Sequence, residues 1–390
     1  MTSTEVKQSK LIIDDESLVQ AIDNISNADV LAVDTEFMRE KTYHAELCLL
    51  QIATADAAYL IDPLANLDLG LLYGVFCESG AVKVFHAGAQ DLEILYLLYG
   101  KPVSPVFDTQ IAAALLGRPQ QLGLAALLKY YLGVELKKQD TYSDWSKRPF
   151  REAQVEYALD DVRYLPEVYA RMQAELAETG RLHWLDEEFA SLSDPLRFTE
   201  ATELLWQKFK GTGGFNRRQL GILQELALWR DQVARQKDVP RRWVVGDEQL
   251  VDIAKRKPAS KAELFTTRGL QGRLTRQMTT DVLAAVMRGQ RLKADELPQP
   301  SKPPPRSPGF TSAVDLMQAL VHLRAAENQI AANILASNDE LKSLAAGKRE
   351  GLSILHGWRR ELIGNELLEL LDGSLALSMH DGSMKVSKVP

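Results

Sequence analysis

The segment VLAVDTEF, residues 30–37, is an apolar run that ends in two acids, and it indicates an α/β fold. Its apolar and β-branched residues predict a buried strand. Side chains two positions apart on a strand point to the same face, so Asp34 and Glu36 would lie together at the strand's carboxyl end. That edge of the sheet is where α/β folds bind ligands, and hard divalent cations would neutralise two neighbouring acids there. The alternative is an exposed strand end with two solvated acids.

The rest of the first half alternates strands with helices and predicts one mixed α/β domain. Two strands, 47–54 and 57–63, follow each other closely and should form an antiparallel pair. A kink is expected at Pro166. The predicted strands cover 11–16, 30–37, 47–54, 57–63 and 81–88, and the predicted helices cover 17–25, 67–76, 89–99, 108–116, 121–132 and 151–178.

Strand signals almost vanish after residue 197, and the second half is predicted to be helical. Its helical patterns cover 198–208, 217–236, 247–256, 260–265, 271–290 and a last block over about 311–372. The predicted organisation is therefore an α/β domain over 1–195, an all-α bundle over 198–295, a proline-rich linker over 296–310 and a second small helical bundle over 311–390.

The two helical blocks show a short internal similarity. DEQLVDIA (247–254) and NDELKSLA (338–345) align at an offset of 91 and place apolar residues on apolar residues. One short match suggests repeats without establishing them, since amphipathic helices share such spacing.

Charge is distributed unevenly along the chain. The net charge is −7 overall, but it is −15 over residues 1–200, +8 over 201–300 and zero over 301–390. This division predicts an acidic, metal-binding domain joined to a module that attracts polyanions. The alternative is that the basic residues only form a solvated helical surface.

Composition excludes several classes of protein. The chain of 390 residues, 45% hydrophobic and 25% charged, is typical of a globular protein of two or three domains. Its two cysteines, Cys48 and Cys77, lie in apolar stretches and exclude a disulfide scaffold or a multi-cysteine zinc site. We find no signal-peptide core and no apolar run near the ~20 residues of a membrane span, so we expect a cytoplasmic protein.

Two further segments place acids at the ends of other elements. Asp91 follows the predicted strand 81–88 at the opening of a helix, where the helix dipole alone would explain an acid. Tyr157 and Asp161 are four residues apart in a helical segment and so share one face. Taken alone, they would be a core tyrosine and a surface acid.

The combination of these residues carries a chemical prediction. Four carboxylates on separate elements offer only oxygen ligands, which suits two Mg²⁺ or Mn²⁺ ions rather than zinc. Two such ions favour in-line hydrolysis of a phosphodiester, because one makes hydroxide from water and both stabilise the attacking and leaving oxygens. The phenol of Tyr157 has an ordinary pKa near ~10, so we assign it to orienting the water.

The order of these motifs, Asp-x-Glu, then Asp, then Tyr-x-x-x-Asp, resembles the DEDD superfamily of 3′→5′ exonucleases, tyrosine subclass. DTEFMREKTYHAELCLLQIAT, VFHAGAQDLEIL, VFDTQIAAALLG and SDWSKRPFREAQVEYALDDVRYL resemble the ribonuclease D family over most of residues 11–178. The resemblance implies a ribonuclease H-like mixed sheet. It also implies roles: Asp34 bridges both ions, Glu36 and Asp161 hold the ion that activates water, Asp91 serves the second ion, and Tyr157 positions the nucleophile.

The basic block has a resemblance of its own. The stretch 217–260 is similar to the HRDC module, a small helical bundle that contacts nucleic acid, and 311–372 resembles a degenerate second HRDC module without the basic Val-Pro-Arg-Arg stretch. We expect the second to bind RNA weakly. Trp243 either stacks on a base or belongs to the core. The basic side chains expected to meet phosphates are Arg241, Arg242, Lys255, Arg256 and Lys257.

Other residues receive narrower predictions. Gln51 should satisfy hydrogen bonds of its strand or of the site, His86 should be a packed histidine, and Asp108 should cap a helix. Side chains that flank the cleft by motif position would hold terminal nucleotides through phosphate pairing and stacking; these are Arg39, Lys41, Tyr142, Trp145 and Arg148.

We therefore expect a two-metal-ion 3′→5′ exoribonuclease that releases 5′-mononucleotides from RNA with a free 3′ end. The resemblance alone adds tRNA precursors as substrates and tRNA maturation as the process. One alternative is a DNA exonuclease of the same superfamily, and another is a catalytically inactive RNA-binding scaffold. We expect no membrane partner, no small-molecule cofactor, since the sequence has no glycine-rich phosphate loop, and a monomer.

Overall fold

The computed structural model describes residues 8–136, 143–198, 202–299 and 308–389. Contacts divide the chain into two compact units. The first combines Met1–Glu36, Leu47–Phe198 and Pro303–Pro390, and the second combines Phe37–Glu46 and Thr199–Lys302. The domain limits expected from the sequence stay a prediction, but the last helical block shares a unit with the mixed sheet.

A six-stranded mixed sheet forms the centre of the first unit. Its strands are β1 Gln8–Ile12, β2 Val30–Met38, β3 Glu46–Ala53, β4 Ala57–Ile61, β5 Val82–Phe85 and β6 Val106–Asp108, in the order β1-β4-β3-β2-β5-β6. β3 and β4 pair antiparallel, as predicted, while β1 runs parallel to β4. Because β2, β5 and β6 are parallel neighbours, their carboxyl ends lie at the same edge of the sheet.

Nine helices accompany the sheet in the described part of residues 8–198. They are α1 Asp15–Ile25, α2 Tyr73–Cys77, α3 Ala89–Tyr99, α4 Thr109–Leu115, α5 Leu124–Leu132, α6 Glu152–Arg163, α7 Leu165–Glu178, α8 Leu182–Leu192 and α9 Pro195–Phe198. The apolar faces of the sheet and of several of these helices share a core in which Leu50, Phe76 and Phe85 are buried. Each such side chain stabilises the fold by about 1.5–3 kcal/mol.

Two strand predictions needed correction. The predicted strand 11–16 ends at Ile12, because Asp14 caps α1 by accepting a hydrogen bond from the Ser17 N–H at 2.7 Å. The short strand β6 was not predicted, since three residues are too few to show a strand period.

The long helical region predicted over 151–178 is two helices. α6 ends at Arg163 and α7 begins at Leu165, with Pro166 in its first turn. The break is at the predicted position, because proline lacks the N–H that would continue the hydrogen-bond ladder but is well suited to a first turn.

The second unit is a helical bundle built around one long helix. A 3₁₀ segment, Thr202–Lys208, precedes α10 Arg217–Lys237, α11 Arg241–Val244, α12 Asp247–Arg256, α13 Lys261–Leu264 and α14 Arg276–Arg291. α14 crosses α10 so closely that a Cβ on Gly289 would lie 2.4 Å from the Cα of Ile222, so this contact requires glycine. The segment Phe37–Glu46 joins this unit through Tyr43, which packs against its core.

The last block, in the first unit, is partly β structure. Its helices are α15 Phe310–Glu327, α16 Ala332–Leu335, α17 Asn338–Ala345, α18 Gly357–Arg359 and α19 Asn365–Asp372, with one π turn at Arg360–Gly364. An antiparallel hairpin follows, β7 Leu375–His380 and β8 Ser383–Lys388. The all-α prediction for this block was therefore incomplete.

In the described ranges we find no helix with the length and apolar content needed to cross a membrane. The cytoplasmic location and the monomeric state stay predictions.

Candidate active site

Three carboxylates meet at the carboxyl end of β2. Asp34 and Glu36 stand two residues apart on that strand, and Asp161 lies in α6. One carboxylate oxygen of each lies within 4.8 Å of the others. All three side chains are partly exposed, so the cluster is accessible to a ligand.

The fourth predicted acid, Asp91, lies beside this cluster in the first turn of α3. It is only 7% exposed, and the hydroxyl of Thr35 donates a hydrogen bond to its Oδ1. Its charge raises the pKa of both Asp34 and Glu36, which shows that it stands near them. Thr35 was not among the predicted residues, although its position between two acids on a strand was a usable signal.

The turn that leads into α3 fixes the position of Asp91. Ala87 adopts a positive φ of 58°, and Asp108 accepts hydrogen bonds from the N–H groups of Ala87 and Gly88 at 3.2 and 2.9 Å. A Cβ on Gly88 would lie 2.4 Å from the Cβ of Phe85, so the turn requires glycine here. Asp108 also caps α4, which confirms the cap prediction.

Burial and neighbouring carboxylates raise the pKa values of all four acids. Burial is the main cause, followed by neighbouring carboxylates, and together they raise the pKa of Glu36 to about 8. Burial, with the charges of Asp160 and Asp91, raises the pKa of Asp161 to about 7. Burial, with the charges of Asp91, Asp161 and Glu36, raises the pKa of Asp34 well above its ordinary value. Burial also raises the pKa of Asp91.

The residues fit divalent cations. The ligand atoms are all oxygens, as Mg²⁺ and Mn²⁺ prefer, and a bound cation would relieve the repulsion that raises the pKa values of Asp34, Glu36 and Asp161. Perturbed carboxylates of this kind are typical of functional sites.

Tyr157 stands one helical turn before Asp161, as predicted, and its hydroxyl hydrogen-bonds to that carboxylate. Burial is the main reason that the pKa of Tyr157 lies well above its ordinary value, and the charges of Asp161 and Glu36 add to the effect. The phenol therefore keeps its proton at neutral pH and acts as a hydrogen-bond donor rather than as a base.

Two polar residues behave as the sequence predicted. Gln51 Nε2 donates to Asp34 Oδ2 at 3.3 Å, while Gln51 Oε1 is buried without a hydrogen-bond partner among the described residues. His86 Nδ1 lies 2.9 Å from Thr109 Oγ1, and burial lowers the pKa of the His86 ring. His86 is therefore a packed, neutral histidine.

The structure contradicts the nucleotide-stacking role predicted for Trp145. Its side chain is 6% exposed, and its ring lies 6.1 Å from the rings of both Tyr157 and Phe150. It packs behind the phenol and presents no open face to a base.

The phosphate-pairing role predicted for Arg148 is also wrong. All five donors of a guanidinium are used within the protein. Two bind the carboxylate of Asp62 at 2.6 Å each, and the others donate to the carbonyl oxygens of Cys48, Trp145 and Lys147. Arg148 is a clamp that joins the segment before α6 to the sheet.

Of the remaining flanking residues, Arg39 and Lys41 are exposed in the segment Phe37–Glu46, and their contacts with RNA stay predictions. Tyr142 lies outside the described residues.

The basic residues of the second unit have different environments. Arg242, Lys255 and Arg256 are exposed and Lys257 is partly exposed, so their phosphate contacts stay predictions. Arg241 instead donates to Asp231 at 2.6 Å and to the hydroxyl of Tyr43 at 2.7 Å. Trp243 is 56% exposed and is not a core residue.

Known proteins resemble this chain over nearly its whole length. A family model for a 3′–5′ exonuclease matches residues 10–177, and a model for the HRDC domain matches residues 219–286. A ribonuclease D from Sphingobium indicum is 39% identical over 385 residues, which are 97% of this chain and 98% of that protein. A ribonuclease D from Acidiphilium cryptum is 37% identical over 382 residues, which are 97% of each chain.

A solved structure extends the similarity to the fold. The crystal structure of Escherichia coli RNase D, described as an exoribonuclease involved in structured RNA processing, has a TM-score of 0.84 and 32% identity, and it covers 94% of this chain and 99% of that chain. The chain therefore belongs to the ribonuclease D family of 3′→5′ exoribonucleases.

Proposed function

We propose that this protein removes nucleotides one at a time from the 3′ end of RNA with two divalent cations, and that tRNA precursors are among its substrates. The observation that carries the proposal is the convergence of Asp34, Glu36 and Asp161, whose oxygens lie within 4.8 Å of one another, beside the protonated phenol of Tyr157. RNA as substrate is supported by the name shared by the relatives and by the description of the Escherichia coli protein. The tRNA substrate rests on the sequence resemblance.

Each acid has a separate part in this proposal. Asp34 would be shared by both cations, Glu36 and Asp161 would hold the cation beside the attacking water, and Asp91 would serve the other. When bound, the cations supply the acidity and the positive charge that hydrolysis of a phosphodiester needs.

The protein's own side chains orient the reacting groups. The Tyr157 hydroxyl donates its one proton to Asp161, so its oxygen would accept a hydrogen bond from the attacking water and orient it. The hydrogen bonds from Thr35 to Asp91 and from Gln51 to Asp34 fix the rotation of two carboxylates, so little reorganisation is needed when the substrate arrives.

The test is incubation of the full-length protein with Mg²⁺ and a tRNA that carries a 3′ extension, with the product ends mapped. We expect stepwise loss from the 3′ end, release of 5′-mononucleotides and complete inhibition by chelator. Internal cuts would overturn the exonuclease assignment.

Two controls separate the alternatives. A DNA oligonucleotide of matched sequence should be degraded more slowly, and an equal or faster rate would favour the DNA exonuclease. RNA binding without nucleotide release, with either Mg²⁺ or Mn²⁺, would favour the inactive scaffold.

Asp160→Asn provides a matched variant for Asp161→Asn, because Asp160 adjoins Asp161 in α6 but pairs with Arg163 at 3.2 Å. We expect only Asp161→Asn to abolish release.

A further inference from the structure

A small basic cavity lies within the second unit, in the bundle around α10. It has a volume of about 210 Å³, and its polar lining consists of four cationic side chains and one carboxylate. The cationic residues are Lys208, Arg230, Arg241 and Arg242, and the acid is Asp247. A surplus of cations around a cavity of this size favours an anion.

Arg230 is the part of this lining that the fold alone does not explain. Its side chain is 7% exposed, and its NH1 donates to the carbonyl of Val245 at 3.0 Å and to Asp247 at 2.7 Å. Its Nε is buried without a hydrogen-bond partner among the described residues. The ring of Phe209 lies 4.9 Å from the guanidinium carbon. A buried donor without a partner destabilises the protein, so an additional acceptor at this place would stabilise it.

The one acid in the lining serves two of its cations. Asp247 is shared, because it pairs with both Arg230 and Arg242. Asp231 pairs with Arg241 from outside the lining. The cations also disfavour one another: burial is the main cause that lowers the pKa of Arg230, and the charges of Arg241 and Arg242 add to it.

The last helical block shows that a bundle of this kind does not need these charges. With an offset of 91, α10 corresponds to α15, α11 to α16 and α12 to α17. At the same offset, the four charged cavity residues of these helices correspond to uncharged ones: Arg230 to Val321, Arg241 to Ala332, Arg242 to Asn333 and Asp247 to Asn338. The helix order therefore forms without the charged set, which is more consistent with a ligand site than with a structural one.

We propose that this cavity binds a phosphate group, with the Nε of Arg230, Lys208 and Arg242 as donors to its oxygens. The source of the phosphate is either the backbone of bound RNA or free inorganic phosphate. The RNA source rests on the proposed function above, because it requires RNA as the substrate.

The surroundings favour the RNA backbone as the source. A larger cavity of about 880 Å³ shares Lys208, Arg242 and Asp247 with the small one. Its lining also includes the cations Lys210 and Lys255 and the acids Glu248 and Asp252. A strand whose phosphate enters the small cavity would find further cations along this larger one. Contacts to phosphate oxygens position a strand without reading its sequence.

The test compares the affinity of full-length variants for a fluorescein-labelled 12-nucleotide RNA in EDTA, where no cleavage occurs. Arg242→Gln removes a cation from the cavity, and its side chain is 79% exposed, so the fold should persist. Arg288→Gln is the matched control, because Arg288 is also exposed and paired with an acid, Glu225, but does not line the cavity. Arg230→Lys, which keeps the charge and removes the Nε, is the second cavity variant.

We expect Arg242→Gln and Arg230→Lys to weaken binding about 5- to 10-fold for any RNA sequence, and Arg288→Gln to change it less than twofold. For Arg242→Gln, the slope of log affinity against log salt should fall by about one. A second measurement follows the melting temperature in inorganic phosphate against chloride at equal ionic strength. A rise for the wild type but not for Arg242→Gln, with unchanged RNA affinity, would assign the cavity to free phosphate.

If the cavity variants match Arg288→Gln in both measurements, the proposal is overturned. The nuclease assay is separate: a wild type that binds RNA through this cavity but releases no nucleotide would contradict the proposed function and leave the phosphate site in place.

Discussion

The two helical blocks have the same order of helices and different side chains at corresponding positions. A long helix, a four-residue helix and a third helix follow one another in both, α10–α12 in one and α15–α17 in the other, with an offset of 91. The buried residues Leu250 and Ile253 correspond to Leu341 and Leu344, which are also buried. The short match in the sequence is thus part of a longer structural correspondence.

The difference between the blocks lies in what their polar residues contact. In the first, arginines surround a cavity. In the second, the contacts run to α8 of the mixed-sheet domain: Trp358 stacks on Trp184 with ring centroids 4.4 Å apart, and Arg359 pairs with Glu188. One arrangement of helices can therefore surround a basic cavity or pack against another domain, according to a few side chains.

The largest expected effect is a loss of catalysis that leaves RNA binding unchanged. Asp34→Asn should lower the rate of nucleotide release at least ~10³-fold, because losing a shared ligand removes several kcal/mol of charge stabilisation in the transition state. RNA affinity measured in EDTA should stay within twofold of the wild type. Release rates and binding curves on the same preparation test this, and a parallel loss of affinity would contradict the separation of binding from catalysis.

The second prediction concerns the interface of the last block. Arg359→Ala should lower the free energy of unfolding by about 3 kcal/mol, because it leaves the carboxylate of Glu188 without its cationic partner in a largely buried place. It also removes the 2.8 Å hydrogen bond from Arg359 Nε to the carbonyl of Ile334. Urea unfolding measures the effect.

Arg288→Gln again serves as the control. The side chain of Arg288 is 54% exposed, against 11% for Arg359, so solvent screens its pair with Glu225 more strongly. RNA affinity should be unchanged in Arg359→Ala. Equal stability of the two variants would show that the interface of the last block contributes little.

The third prediction uses the titration of the carboxylate cluster. The pKa values of Glu36 and Asp161 are raised to about 8 and about 7, so the folded protein binds these protons more tightly than the unfolded chain does. Without metal, their contribution to stability is present at low pH and is lost as the pH rises through 7 and 8.

Bound Mg²⁺ requires the ionised carboxylates, so its stabilising effect should grow with pH. We expect saturating Mg²⁺ to raise the melting temperature by roughly 5 °C at pH 8 and by less than about 1 °C at pH 5. In Asp34→Asn, most of the rise in melting temperature that Mg²⁺ causes at pH 8 should be absent. A pH-independent increment would contradict a metal site built from these acids.

The strands of the mixed sheet were predictable where they form continuous apolar runs. β2, β3 and β4 are continuous apolar runs, and their limits were predicted to within two residues. β6 has three residues and was missed. The hairpin β7–β8 was also missed, although Asp381 and Gly382, both with positive φ, form the Asp-Gly pair that is typical of such turns.

The active-site carboxylates were predictable because their geometry follows from local spacing. Residues two apart on a strand or four apart on a helix share a face, which applies to Asp34 with Glu36 and to Tyr157 with Asp161. The role of Arg148 was not predictable in this way, because its partner Asp62 lies 86 positions away.

The smallest expected effect comes from a substitution in the last helical block that introduces the counterpart of one cavity arginine. Asn333→Arg places an arginine at the position that corresponds to Arg242, on an exposed site where it should fold normally. We expect RNA affinity to rise less than twofold, because the neighbouring positions hold Val321 and Asn338 and offer no buried guanidinium to share a phosphate. The same labelled RNA in EDTA measures it. If this single charge raised affinity as much as Arg242→Gln lowers it, net charge and not the cavity would account for RNA binding by the first block.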